Sequence, residues 1–226
     1  GGLGALTIGV GSTDAAIAMA TGTCWFKVPP TIRIVLKGKL QHGVFAKDVI
    51  LAIAKQFGPE GGNYRVLEYC GPVVEQFPVP SRLKLTNMSA EMGAKAAIVA
   101  PDDNTRAYLK ANNRLVDFDQ SLLTGDRDAD YEKIITLDVS TLTPQIAQPP
   151  DIDNVTDVIK IQRKKIPVNQ VFIGSCTNCR IEDLDIVYTM WQNHPLHPDV
   201  RTIITPASKL VYLQALQKGY LEFFTK

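Results

Sequence analysis

Two cysteines three residues apart, Cys176 and Cys179, stand in the stretch VFIGSCTNCRIED at residues 171–183. The apolar run Val171, Phe172 and Ile173 enters a Gly-Ser-Cys-Thr-Asn turn, and a helix pattern with a polar start leaves it. Cys176 is therefore expected at the carboxyl end of a strand, beside the amino end of a helix. A helix amino terminus carries partial positive charge and stabilises a thiolate, and open α/β sheets bind ligands at the carboxyl ends of their strands. Two thiols at this spacing can form a redox pair or supply half of a zinc site. A tetrahedral zinc needs two more ligands, and the nearby histidines, His194 and His197 in NHPLHPDV, read as residues of a Pro-broken loop. The aromatic and proline flanks usual in a dithiol oxidoreductase are missing, so spacing alone selects neither chemistry.

The elements that must position this turn follow from periodicity. Residues 170–174 and 201–205 read as strands, 182–191 and 208–218 as helices, and their alternation argues a parallel sheet with crossover helices. Upstream, Ile32, Ile34 and Leu36 alternate with Arg33, Val35 and Lys37, predicting a half-buried strand over 31–40. Val49, Ile50, Ile53, Ala54 and Phe57 recur at helical spacing over 46–57, and Gly58 ends the helix. Further strands are expected at 64–69, 96–99 and 131–139, and further helices at 15–22 (capped by Thr13-Asp14), 82–92 and 103–110. Pro144, Pro149 and Pro150 mark 143–156 as a polar linker. The GVGS at residues 9–12 lacks both the GxGxxG register and a Walker lysine, so helix packing explains it better than phosphate binding. Arg163, Lys164 and Lys165 read as a solvated loop.

Composition narrows the function classes. The net charge of +1 over 226 residues gives no electrostatic footprint for nucleic acid. No apolar run reaches membrane-spanning length, and the amino-terminal stretch lacks the basic region of a signal peptide. Four cysteines are too few for a disulfide scaffold in a chain this long, which favours a reducing compartment, the cytoplasm or an organelle matrix.

Three ordered motifs now carry a resemblance. IGSCTNxRxED, here residues 173–183, resembles the first cluster-cysteine motif of the aconitase superfamily. LTNMSAEMGAKAAIVAPDD, residues 85–103, is similar to that family's NMxxExGA segment. GGLGALTIGVGSTDAAIAMATG, residues 1–22, resembles the stretch that follows its Asp-Ser-His-Thr motif, and KGKLQHGVFAKDVIL and RTIITPASKLVYLQAL match family positions too. The likeness runs through essentially the whole chain and is strongest to the archaeal-type large subunits of 3-isopropylmalate dehydratase and homoaconitase.

The resemblance implies an α/β fold of three-layered αβα units with mixed or parallel sheets. It divides the chain into the end of a first domain (1–45), a second domain (46–150) and the start of a third carrying the cluster cysteine (151–226). It implies a 4Fe–4S hydro-lyase of leucine biosynthesis, isomerising 2-isopropylmalate to 3-isopropylmalate by dehydration and rehydration. Homocitrate or citrate is the alternative substrate, and a thiol-redox or zinc module using Cys176 and Cys179 the alternative of another class. Cys176 is implied as one of three thiolates on the cluster, with Asn178 of the same turn at the cofactor. Asn87 is implied to lie near the cluster and Glu91 to contact the iron-bound hydroxyl or water; the two are expected on one face of a single helix, at i and i+4. Cys179 is implied as a neighbour and not a ligand, and Cys24 and Cys70 read as small buried residues. Partners are a small hydroxy-di- or tricarboxylate and a small subunit carrying the swivelling domain, with neither nucleic acid nor membrane. The Asp-Ser-His motif, the CxxC that supplies the other cluster ligands and the substrate-binding arginines are not in these 226 residues. The chain thus resembles the central part of a large subunit, which alone would hold no intact cluster and turn over no substrate.

Overall fold

The computed structural model describes residues 2–114, 118–192, 194 and 196–225. Gly1 of the opening motif and Asn193 and Pro195 of the histidine loop lie outside the described residues. Chain contacts separate two units, residues 1–161 and 162–226.

In the first unit, helix α1 (Ser12–Thr21) starts from Gly11 with no side-chain cap, where Thr13-Asp14 was expected to serve, and ends at Gly22 in the left-handed conformation. Strand β1 (Thr31–Lys37) turns Ile32, Ile34 and Leu36 into the core. It stops short of residue 40 because Gly38, at φ 91°, breaks the extended backbone. Helix α2 (Ala46–Phe57) buries Val49, Ile50, Ile53 and Ala54 against that face, and Gly58 terminates it. Strand β2 (Val66–Cys70) leads through Gly71 into the short helix α3 (Pro72–Gln76). Helix α4 (Val79–Met88) follows; it begins earlier than residue 82 because Pro80 sits in the first turn, where its missing N–H costs nothing. Strand β3 (Ala96–Val99), helix α5 (Asp103–Ala111) and strand β4 (Lys133–Asp138) complete the main sheet. Its order is β3-β2-β1-β4, all parallel.

Arg82 anchors α4 from inside. Its guanidinium is 1% exposed and donates to the carbonyls of Phe77 and Glu75 and to Asp102 Oδ2 at 2.6 Å. Asp102 in turn accepts from Thr105 N and caps α5.

The expected linker at 143–156 is an ordered hairpin instead. Strands β5 (Gln145–Ala147) and β6 (Val155–Asp157) pair antiparallel, and helix α6 (Val158–Ile161) follows. Val155 is buried in the core, and Asp48 Oδ1 of α2 accepts from Gln145 N at 2.7 Å. The prolines hid three-residue strands too short to show periodicity. Boundaries expected at 45/46 and 150/151 both fall inside this unit, because β1 shares a sheet with β2–β4 and the hairpin packs on α2.

The second unit pairs β7 (Gln170–Ile173) with β8 (Arg201–Ile204) in parallel, joined by helix α7 (Ile181–Trp191) and followed by helices α8 (Lys209–Gln217) and α9 (Tyr220–Thr225). Leu184, Val211, Ala215 and Tyr220 form its core. The α/β class and the parallel strands agree with expectation. No helix among the described residues is long and apolar enough to cross a membrane.

Gly71, with φ 98° and ψ 170°, meets both a conformational and a steric requirement. A Cβ there would sit 2.6 Å from the Leu36 carbonyl oxygen, part of a central strand that cannot move aside. We expect Gly71→Ala to lower stability by about 3 kcal/mol, read as a lower urea midpoint at unchanged slope.

Candidate active site

The residues singled out by sequence fall into two pairs, one in each unit: Asn87 with Glu91, and Cys176 with Asn178.

The cysteine turn begins where β7 ends. Gly174 is buried, and a side chain there would collide with the Phe172 ring. Ser175 follows at φ 98°, unusual for any residue but glycine. Thr177 Oγ1 donates to Asn178 Oδ1 at 2.8 Å and lies 3.0 Å from Ser175 Oγ, while Thr177 N donates to Ser175 Oγ at 3.3 Å. A hydroxyl has one proton, so the Ser175 hydroxyl must donate to Thr177 Oγ1. Ser175, Thr177 and Asn178 thus form a directed chain of hydrogen bonds around Cys176, with Thr177 buried and Cys176 exposed. Arg180 caps α7, its N–H donating to Asp183 Oδ2 at 3.1 Å. Cys176 therefore lies at the carboxyl end of its strand and just ahead of a helix, as its sequence context implied.

The second thiol is in a different environment. Cys179 is fully buried at φ 61° and packs with Leu184, Val211, Ala215 and Tyr220. Burial pushes its thiol up to about 11, and the Asp183 carboxylate adds to the shift. A dithiol couple or a zinc site needs both sulfurs accessible as thiolates, and only Cys176 is exposed. Among the described residues no group of three or more His, Cys, Asp or Glu is gathered as metal ligands, His194 and His197 included. In metal-free protein we expect a thiol reagent to label Cys24 and Cys176 rapidly and Cys179 only on unfolding, read by mass spectrometry of the labelled peptides. Cys24 itself is exposed and Cys70 half-buried, against the expectation that both are buried. Cys24 lies beyond the end of α1, and Cys70 Sγ accepts from Arg33 Nε at 3.2 Å.

In the first unit the expected single helix over 82–92 is two structures. The α-helix stops at Met88, and Ser89–Met92 winds on as a 3₁₀ turn closed by Gly93 in the left-handed conformation. The Ser89 hydroxyl donates back to Leu85 O at 2.8 Å, across the point where the winding changes. The tighter turn carries Glu91 further round than an α-helix would, so the i, i+4 relation on a single helix face does not hold. Both side chains still point outward, because Leu85, Met88, Ser89 and Met92 are buried while Asn87, Ala90 and Glu91 are exposed.

The turn sits at the amino ends of β2 and β3. Gly62 N donates to Met92 O and Tyr64 N to Gly93 O. That is the side opposite the crevice where doubly wound sheets ordinarily bind ligands. At the carboxyl ends of β1 and β4 the chain's own groups bridge the two strands' exits. Lys39 N donates to Ser140 Oγ, Gln41 Nε2 to Ser140 O, and Ser140 N to Asp138 Oδ1. Sequence reasoning passed over Ser175 and Thr177; the Ser-x-Thr spacing in a strand-to-helix turn was the signal that could have found them.

Comparison with known proteins agrees with the motifs. The family model described as aconitase family (aconitate hydratase) matches residues 1–226. The chain is 47% identical over its full length to 3-isopropylmalate dehydratase large subunit 1 of Thermotoga maritima, covering 54% of that relative. It is 44% identical over its full length to large subunit 2 of Archaeoglobus fulgidus, covering 53% of it. It is 45% identical over 98% of its length to large subunit 1 of Methanopyrus kandleri, covering 52% of it. The chain thus spans about half the length of the curated relatives it matches. A family model that matches the chain from end to end, through both motif-bearing segments, shows that the chain belongs to the aconitase family.

Proposed function

We propose that the protein to which these 226 residues belong is the large subunit of an iron–sulfur hydro-lyase that interconverts 2- and 3-isopropylmalate, acting with a small subunit. The observation that carries this is the continuous likeness to 3-isopropylmalate dehydratase large subunits through both motif-bearing segments.

The residues present fit one corner of a 4Fe–4S cluster. The exposed Cys176 sulfur, in a turn braced by Ser175 and Thr177, suits a thiolate ligand, whereas the packed Cys179 does not. Asn178 shares the turn with Cys176, and its amide oxygen accepts from Thr177 Oγ1, which fixes the plane of the amide beside the thiol. The cluster, when bound, supplies a Lewis-acidic iron that stabilises a departing hydroxide.

The proton lost from the neighbouring carbon as the double bond forms goes to a base on the small subunit's swivelling domain, and the proton transfer at the leaving oxygen falls to this chain. Glu91, exposed on the 3₁₀ turn, holds the proton that converts the leaving hydroxide to water, and takes one from water when the double bond is hydrated in the opposite sense. Asn87, also exposed and four residues earlier, supplies a neutral hydrogen-bonding group that orients the same oxygen without competing for its proton.

The test is to produce the complete large subunit with its small subunit, quantify iron and sulfide, and follow turnover of 2-isopropylmalate. Iron with equimolar sulfide and conversion to 3-isopropylmalate supports the reading. Turnover of homocitrate or citrate alone reassigns the substrate, and zinc in place of iron overturns the reading.

A further inference from the structure

We propose that Tyr69, acting through Ser89, is the positioning residue of the turn that presents Glu91; this rests on the role given to Glu91 above. Tyr69 lies on β2 and is 1% exposed, and its hydroxyl is 2.7 Å from Ser89 Oγ. Ser89 is equally buried and donates its one proton to Leu85 O at 2.8 Å. The shared bond must therefore run from the phenol to the serine, giving a directed chain Tyr69 → Ser89 → Leu85 O. Burial holds the Tyr69 phenol well above its ordinary pKa, so the proton that the chain needs is always present.

The pair sits where α winding changes to 3₁₀, two residues before Glu91. Beyond Ser89 the turn closes through backbone bonds, Gly93 N to Ala90 O at 3.0 Å and Ala94 N to Ser89 O at 3.3 Å. Met88 and Met92 pack against the core on either side but give no direction to the backbone between them. Gly62 N and Tyr64 N, donating to Met92 O and Gly93 O, fix the far end of the turn to the chain that enters β2, and the Ser89 hydroxyl is the side-chain tether that fixes its near end to β2 itself. A phenylalanine at position 69 would satisfy the packing of the core equally well. What the hydroxyl adds is a fixed point for the turn, and catalytic groups lose rate steeply when displaced by an ångström.

The experiment uses the complete enzyme with its small subunit. Tyr69→Phe is expected to lower kcat about tenfold with KM and iron content unchanged, and to speed amide exchange at Gly93 and Ala94. Ser89→Ala should do the same, and the double variant no more than either single one. In a Glu91→Gln background, Tyr69→Phe should have no further effect on turnover. Unchanged kcat with only a lower melting temperature would make the hydroxyl merely structural and overturn the proposal. An undiminished effect in the Glu91→Gln background overturns it too, because the hydroxyl would then act on some other group. Should Glu91→Gln alone leave turnover near normal, it is the role of Glu91 that fails. Amide exchange then decides the tether, with unchanged rates at Gly93 and Ala94 counting against it.

Discussion

Cys176→Ser in the complete large subunit is expected to remove turnover, by about 10³-fold or more, together with the bound iron. A Lewis-acid metal contributes several kcal/mol of transition-state stabilisation, and each 1.36 kcal/mol is tenfold in rate, so loss of the cluster fixes the scale at about that size. The side chain is exposed, so the change leaves the fold intact. A serine hydroxyl stays protonated where a thiol releases its proton to solvent and binds iron as the thiolate. Cys179→Ser is the informative partner. It places a hydroxyl among Leu184, Val211, Ala215 and Tyr220, at a cost of about 1–3 kcal/mol, and should lower the melting temperature while keeping most of the iron and most of the activity. Iron and sulfide per chain, measured beside kcat, separate the two effects. Equal loss of iron from both variants would mean that Cys179 leaves the core to ligate, and the assignment of a single ligand would fail.

How much of this was legible in the sequence depends on length and periodicity. Helix α2 and strand β3 match their expected spans because α2 carries a full amphipathic stripe and β3 is an apolar run bounded by Gly93 and Pro101. The hairpin β5–β6 was hidden because three residues per strand give no countable alternation and its neighbours are prolines. The start of α4 lies earlier than the expected residue 82 because Pro80 occupies the first helical turn and does not break it. The 3₁₀ winding of Ser89–Met92 was not legible at all. It depends on a hydroxyl bonded to a tyrosine on another element, which no local pattern encodes. At the candidate site the motifs named Asn87, Glu91, Cys176 and Asn178 but not what braces them. The strained Ser175 and the buried Thr177 and Ser89 are polar residues whose value lies in which partner they meet after folding.

Glu91→Gln should lower kcat by about 10²–10⁴-fold, the usual share of a positioned proton-transfer group, with the cluster retained. The amide matches the carboxylate in shape, and Glu91 is exposed, so stability should stay within about 0.5 kcal/mol of the parent. What the substitution removes is the capacity to give or take a proton at the leaving oxygen. KM should move little, because the loss falls on the step in which the C–O bond breaks and not on the binding of the carboxylates. Asn87→Ala is the control from the same outward face: it deletes a neutral hydrogen bond worth about 1 kcal/mol and should cost turnover far less. Turnover in Glu91→Gln close to that of the parent, at unchanged iron, would remove Glu91 from the chemistry. It would leave Cys176, Asn178 and Asn87 as the residues of this chain with a part in the reaction, and the proton at the leaving oxygen would need another donor.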